Sequence, residues 1–481
     1  MLGSIALHRH GIAGFQSPTA LQVWVGLRHT TRNRRSIVMA TFDIRTYGAR
    51  GDGVTNDATA IQAAIDACNA AGGGTVLVPA GATWLSGSFT LRGNLEFRVE
   101  RGARLLASPQ CDAYSGYAVP GDPHAVEGEK RVFINAYEAH HLAITGGGII
   151  DGNAKAFMVE ELPHIFRGTV WRPHLLVLVG CDHLVVRDIT LRDAGNWTLH
   201  MSGCRDVLVD GIRILNDLKV PNCDGIDPDH CQDVRISNCH IEAGDDCIVL
   251  KNLASYAKYG PTRNIAITNC TLISTSAAIK IGSESVDDFR DIVVSNCTIR
   301  GSSRGVSIQL RDQGHVENVL IDNCVIETRL FHEDWWGRAE AVYITSAPRT
   351  AATTVGSIRR IRVRNLLCRG EGGVYIAAVA PGIIDDVVLD NVRVELTKTS
   401  KWPAGRHDLR PGHRVGLVNR PVSAIFIANA ARVRLREVDV VLDPTLPTGY
   451  GAALEVHCAP GLEAGHLQST MRPDDGVDQF L

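Results

Sequence analysis

Ile265–Leu272 (IAITNCTL), Ile292–Ile299 (IVVSNCTI) and Val319–Ile326 (VLIDNCVI) are copies of one pattern, apolar-x-apolar-polar-Asn-Cys-x-apolar. Val234–Ile241 (VRISNCHI) is another. From Val234 onward the starts step by 31, 27 and 27 residues. Weaker copies begin at Leu184, Val207, Ile361, Val387 and Val433, and the wider gaps before Ile361 and Val433 leave room for inserted loops or an extra coil. Each copy alternates with period two and is rich in β-branched residues, so each reads as a strand. A unit this short, built of strands with no helix between them, is one coil of a parallel β-helix. A leucine-rich repeat needs a leucine framework that is missing here, and a propeller blade needs a longer unit. In such a coil the same phase stacks at about 4.8 Å. Asn238, Asn269, Asn296 and Asn323 then form a hydrogen-bonding ladder, with Cys239, Cys270, Cys297 and Cys324 filling small interior spaces.

Upstream, Asn56 and Asp57 precede Ala58–Ala70, a helix-favouring run with Ile61 and Ile65 on one face. Either polar side chain can satisfy the free N–H groups at the helix start. Gly72-Gly73-Gly74 ends the run, and Thr75 begins the first strand. A solenoid needs such a cap over its open end. The expected architecture is therefore all-β, a single-stranded parallel β-helix with a short N-terminal capping helix over 39–465, followed by a tail at 466–481. Residues 1–38 are rich in Arg and His, and their apolar patch, Leu21–Val25, is followed rather than preceded by Arg32, Arg34 and Arg35. A signal peptide has the opposite order. This stretch is expected to be an unstructured leader, or to precede a true start at Met39, and a cytoplasmic location follows as an expectation.

The formal net charge is −3, so no electrostatic case exists for nucleic acid or an anionic membrane surface. No apolar run is long enough to span a bilayer. Charged residues at 21% and hydrophobics at 45% are ordinary for a packed protein. The 13 cysteines include no metal-type C-x-x-C pairs, and most share one phase of the repeat. Free buried thiols in a stack are expected, not disulfides, and neither a metal nor a cofactor is expected.

Inside the repeat lie Asn222-Cys223-Asp224-Gly225 and Gly244-Asp245-Asp246-Cys247. Setting Ile226, Ile248, Ile279 and Ile308 in register stacks Asp224 on Asp246, with Asp245 beside them. Crowded carboxylates cannot all ionise easily, so one is pushed to keep a proton while others stay charged. A retained proton beside a charged base is what acid–base hydrolysis of a glycosidic bond requires. Asp before Gly is also a common turn residue, but stacking a doubled Asp on a third acid costs stability through repulsion, which points to catalysis.

Together with Asn196-Trp197-Thr198-Leu199-His200 and Lys280-Ile281-Gly282-Ser283-Glu284, these motifs resemble glycoside hydrolase family 28, the polygalacturonase family. The resemblance runs from about Phe42 to the last repeats. It implies a right-handed β-helix that hydrolyses pectic glycosides with inversion and without metal. It also implies that Asp245 is the general acid and that Asp224 and Asp246 hold and activate the attacking water.

Two departures from that family stand out. Its Gly-His-Gly is replaced by Ser276-Ala277-Ala278, and its Arg-x-Lys by Ser307-Ile308-Gln309. Ser and Gln can bond neutral hydroxyls but exert little pull on an anion. Lys251, Lys280 or Arg311 could restore positive charge from shifted positions; the alternative for Lys280 and Arg311 is a solvated outer face. His200 and Asn222 are further substrate-binding candidates, although a structural role suits His200 equally. In the insertion Leu330–Glu340, Trp335 and Trp336 either wall a sugar cleft or pack on the solenoid. The preferred reading is a glycosidase acting on a pectic or related plant oligosaccharide, exo-acting if the insertions close the cleft. The alternatives are a β-helix polysaccharide lyase or uronate epimerase, and a non-catalytic carbohydrate-binding β-helix.

Overall fold

Every repeat start identified above falls in one column of the structure. Leu184, Val207, Val234, Ile265, Ile292, Val319, Ile361, Val387 and Val433 pair in parallel register, each on the next. All are buried, and they form one wall of a continuous apolar core. The computed structural model describes residues 40–114, 130–169 and 171–470. The chain is a right-handed parallel β-helix. Val319 pairs directly with Ile361 and Val387 with Val433, so the wide gaps are inserted loops and not extra coils. The expected leader at 1–38 and start at Met39 lie outside the described residues. The boundary placed at 465 is corrected, because Leu467–Thr470 still pairs with Val438–Val441. Among the described residues, no helix is long and apolar enough to cross a membrane.

The cap is the helix Ala58–Ala70, which buries Ile61, Ala64 and Ile65 over the first coil. Its two candidate cap residues divide the work. Asn56 Oδ1 accepts from Ala58 N–H at 3.1 Å and from Gly87 N–H at 2.9 Å. Asp57 caps nothing in the helix; its carboxylate accepts from the backbone of Arg50 and Gly51 at 2.8 and 3.0 Å, fixing the entry turn.

The turn asparagines have a backbone reason to be asparagine. Asn238, Asn269, Asn296 and Asn323 all lie at φ between 55° and 57°, in the left-handed region that Asn tolerates better than most residues. Asn269 Nδ2 donates to Asn238 Oδ1, and Asn323 Nδ2 to Asn296 Oδ1, each at 2.6 Å. The ladder is interrupted once, where Asn296 bonds Thr268 Oγ1 at 3.3 Å instead. Behind each Asn the Cys is buried, and all 13 thiols are free. Cys270, Cys297 and Cys324 each donate to the carbonyl two residues back at 3.3 Å.

Two large sheets result among the described residues, beside two two-stranded hairpins. One has twelve strands and includes Leu199–Ser202, Ile226–Asp229, Ile248–Asn252, Ala277–Ser285 and Arg304–Leu310 in spatial order. The other wraps the remaining sides of the coil. In the twelve-stranded sheet the expected register holds from Ile226 to Ile248 to Ile279 and then slips. Ile279 pairs with Val306, and Ile308 pairs with Ile281. Val306 and Ile308 both point inward, so a slip of two residues leaves the hydrophobic pattern unchanged. The slip sets Ser307 on Lys280, Gln309 on Gly282 and Arg304 on Ala277.

Replacing Asn296 by Ala places a side chain that disfavours left-handed backbone at φ 55° and removes two ladder contacts. The expected loss is about 1–3 kcal/mol in urea unfolding, with Asn296→Gly losing less. Equal loss for both variants would show that the backbone conformation is not what the Asn supplies.

Candidate active site

Asp224 and the Asp245-Asp246 pair sit at the entry to consecutive strands, where backbone bonds tie their coils together. Gly225 N–H donates to Asp246 O at 2.9 Å, and Thr198 N–H to Asp224 O at 2.9 Å. The glycines of both motifs permit this approach. A Cβ on Gly225 would stand 2.4 Å from Cys247 O, and one on Gly244 would stand 2.3 Å from Val220 O. From the next coil, Ser274 Oγ and Thr275 Oγ1 donate to the carbonyls of Asp245 and Gly244, each at 2.6 Å. The acid-bearing turn is thus clamped from both sides before any ligand arrives, as preorganised chemistry requires.

The structure gives the three acids different environments. Burial pushes Asp245 well above the usual carboxylate range, and the charges of Asp224 and Asp246 add to it. Asp246 is 1% exposed, yet it is held below its ordinary value. Burial pushes it up, but Lys280, Lys251 and the Ala277 N–H together outweigh burial. Lys280 Nζ lies 2.6 Å from Asp246 Oδ2, and Ala277 N–H donates to Oδ1 at 3.0 Å. Asp224 is raised by burial, with Lys251 opposing. These groups titrate together, so the split belongs to the cluster and not to isolated residues.

Two acids that the sequence reading left without roles belong to the same group. Asp227 is fully buried, and burial together with Asp224 drives it well above the carboxylate range. Glu284 on the strand above falls to about 2, because Lys251, Lys280 and Arg349 overcome its burial. Lys251 Nζ stands between them, 3.5 Å from Asp224, 3.6 Å from Asp227 and 3.6 Å from Glu284. The same ammonium lies 4.5 Å from the centre of the Trp197 ring. The available signal for Asp227 was a further acid three residues after Asp224, in Asp224-Gly225-Ile226-Asp227 at one strand start.

The remaining candidates divide. Lys251 and Lys280 lie in the cluster and not on a solvated face. Asn222 (φ 56°) adjoins it, its Oδ1 accepting from Arg172 at 2.9 Å. His200 pairs in register with Asp227, one coil below. Its Nε2 is 3.2 Å from Asp229 Oδ2 and 2.9 Å from Ser202 Oγ, while its ring packs edge-on to Trp197 at 4.9 Å. It therefore positions the tryptophan. Gln309 is buried and donates to Ser307 Oγ at 2.9 Å, one coil above Lys280. Arg311 is corrected on both earlier readings. It is neither a shifted binding cation nor a solvated residue, being 0% exposed. Its guanidinium bonds the carbonyls of Pro411, Leu310, Thr345 and Leu409 at 2.5–3.3 Å. The insertion it anchors includes the hairpin Arg406–Asp408 with Leu417–Asn419, a segment the repeat pattern could not reveal. Arg304 and Tyr343 hold the same hairpin through Asp408 O, at 2.8 and 2.6 Å.

Trp336 packs on the body: Arg410 stacks over it at 4.8 Å, and its carbonyl accepts from Ser303 at 2.8 Å. Trp335 is half-buried and lies edge-on to His164 at 6.2 Å. His164 stacks face to face on His332 at 3.7 Å. His164 lies in the turn of a second hairpin, Met158–Glu161 with Phe166–Gly168, seated on Lys219 O. Two walls therefore touch, one rising from the connection before Arg172 and resting on the loop that leads into Asp224, the other from the coil of Arg304. Elsewhere, a groove of about 810 Å³ on the other sheet is lined by Arg360, Arg362, Arg364, Arg434 and Arg436, away from the acids. Arg360, Arg362 and Arg364 there are paired with Glu317, Asp386 and Asp322 at 2.7–2.9 Å.

A right-handed parallel β-helix carrying a clamped acid cluster on one sheet defines the class of this protein. The model of the glycosyl hydrolases family 28 matches residues 68–329, more than half of the chain, and the chain belongs to that family. A probable polygalacturonase of Vitis vinifera is 34% identical over 254 residues, 50% of this chain and 50% of its own. An exopolygalacturonase of Oenothera organensis is 30% identical over 220 residues, 45% of this chain and 54% of its own. The chain thus spans about half the length of these curated relatives. The family 28 exopolygalacturonase structure from Yersinia enterocolitica superposes with a TM-score of 0.66 at 20% identity, over 88% of this chain and 78% of its own, and shares the fold.

A carboxyl whose folded pKa is raised keeps a proton that the unfolded chain releases above about pH 4, so its contribution opposes folding increasingly as pH rises. Asp245→Asn removes that opposition. The variant is expected to melt above wild type at pH 7, with the gap closing as the pH falls toward about 4. A gap that widens on acidification would contradict the protonated state assigned to Asp245.

Proposed function

We propose that the chain hydrolyses an O-glycosidic bond in a pectic or related plant oligosaccharide, with inversion and in exo mode. The observation that carries this reading is the division of labour among neighbouring acids: Asp245 is raised, while Asp246 is held ionised by Lys280 at 2.6 Å. Asp245 gives its proton to the leaving glycosidic oxygen as the bond to the anomeric carbon breaks. Asp246, with Asp224, takes a proton from the water that attacks from the opposite face. Atoms balance with water as the only co-reactant. Trp197, fixed by His200 and Lys251, offers an aromatic face for a sugar ring. Ser307 and Gln309 on the coil above are buried and bonded to each other, and they carry no charge.

Support for exo action comes from how the sheet is covered. Beyond Ser307 the outward column runs Tyr343, Tyr375, Phe426. These rings stack on one another and on His407 of the inserted hairpin, at 4.7–5.7 Å. The chain itself thus fills the face along which a long polymer would run, and the His164–His332 contact bridges the two walls. A relative named exopolygalacturonase fits the same reading.

Asp245→Asn is expected to lower turnover by about 10²–10⁴-fold while substrate still binds. Near-normal turnover would remove Asp245 from the acid role. On a long pectic polymer, wild type should release one short product from the first minutes. Early mid-chain cuts seen in reducing-end analysis would refute exo action, and retention of anomeric configuration in proton NMR would refute inversion.

A further inference from the structure

Most lysines and arginines around the cluster are already neutralised. Lys280 is bonded to Asp246 at 2.6 Å, and Lys251 faces Asp224, Asp227 and Glu284 at 3.5–3.6 Å. Arg349 holds Asp312 at 2.8 Å, Arg304 holds Glu340 at 3.0 Å, and Arg410 holds Asp408 at 2.8 Å. Arg311 meets only neutral oxygens but is sealed beneath the inserted hairpin.

Arg172 differs from all of these. It begins the strand Arg172–Val179 and is half-buried. Its Nη1 donates to Gly195 O at 2.9 Å and to Pro221 O at 2.5 Å, and its Nη2 donates to Asn222 Oδ1 at 2.9 Å. All three acceptors are neutral, and among the described residues no carboxylate lies within salt-bridge distance of it. A guanidinium has five N–H donors in a rigid fork, so two remain. Its place is fixed from two sides. The carbonyl and amide acceptors hold it against the loop that ends in Asp224. Gly168 of the Met158–Gly168 wall leans on its stem, where a Cβ would come within 2.5 Å of Arg172 Cδ. Burial lowers the Arg172 pKa, while Cys223, Asp245 and Asp224 pull the other way, which sets the guanidinium within electrostatic range of both acids.

A delocalised cation held in a fixed orientation, without a carboxylate of its own and beside a sugar-cleaving cluster, matches the carboxylate of an acidic sugar. We propose that Arg172 is the specificity residue that recognises a uronate carboxylate on the Asn222 side of this groove. This rests on the glycosidase reading above. It places the anion selectivity one coil before His200 and not at Lys280, whose charge is spent on Asp246.

The test compares a ligand with and without its charge on one skeleton. Trigalacturonic acid and its fully methyl-esterified form are titrated calorimetrically into the full chain carrying Asp245→Asn, which prevents turnover. The acid is expected to bind at least about tenfold more tightly than the ester. In Asp245→Asn/Arg172→Gln that ratio should collapse to about one, and in Asp245→Asn/Arg172→Lys, which keeps a charge but loses the fork, it should fall in between. An arginine that merely shapes the Pro221-Asn222 loop would weaken both ligands alike and leave the ratio unchanged, which would overturn the proposal. So would an ester bound as tightly as the acid by the parent protein, a result that needs no arginine variant. Failure of the glycosidase reading shows separately, as wild type that releases no new reducing ends from trigalacturonic acid or its ester.

Discussion

Lys280 Nζ at 2.6 Å from Asp246 is the contact on which the chemistry of this molecule turns. Coil stacking forces acids from successive turns into one buried patch, and burial alone would protonate all of them. A cluster of neutral carboxylic acids has no base. The ion pair lifts Asp246 out of that fate, and the charge it preserves then raises Asp245 further. A carboxyl that keeps its proton and one that stays charged are therefore two outcomes of one cation placed on one side of a pair of adjacent residues. Breaking a buried pair by removing one partner costs far more than an exposed pair contributes, so the cation also holds the coil together.

The solenoid can tolerate this strain because its stability is distributed. Apolar columns run through every coil, and the turn asparagines and free thiols repeat with them. In such an architecture each coil leans mainly on its neighbours. Local repulsion around Asp224, Asp227, Asp245 and Asp246 is opposed by the hydroxyl clamps of Ser274 and Thr275 and by strand pairing with the coils above and below. The insertions do a different job. They leave the column intact, and the hairpin Arg406–Asp408 with Leu417–Asn419 covers the twelve-stranded sheet beyond Ser307.

What could be read from residues alone followed the period. The strand phase, the Asn and Cys columns, the capping helix and the grouping of Asp224, Asp245 and Asp246 all repeat or sit at fixed offsets, and each appears where the pattern put it. The slip between Ile279 and Val306 escaped because alternation is blind to shifts of two. Arg311 escaped because its partners are carbonyls of an insertion about a hundred residues later, with no trace in the repeat. Asp227 and Arg172 escaped for a related reason. What singles them out is the company each keeps in space: a second acid for one, and neutral acceptors in place of a salt bridge for the other.

The protonation state of the cluster is the claim that everything chemical here needs, and it is open to direct observation. Neutron diffraction of deuterium-exchanged crystals near pH 6 would locate the hydrogens on the cluster carboxylates. A deuteron on Asp245, a bare Asp246 and a fully charged Lys280 would be the predicted pattern. A bare Asp245, or a deuteron on Asp246, would contradict the assignment of acid and base.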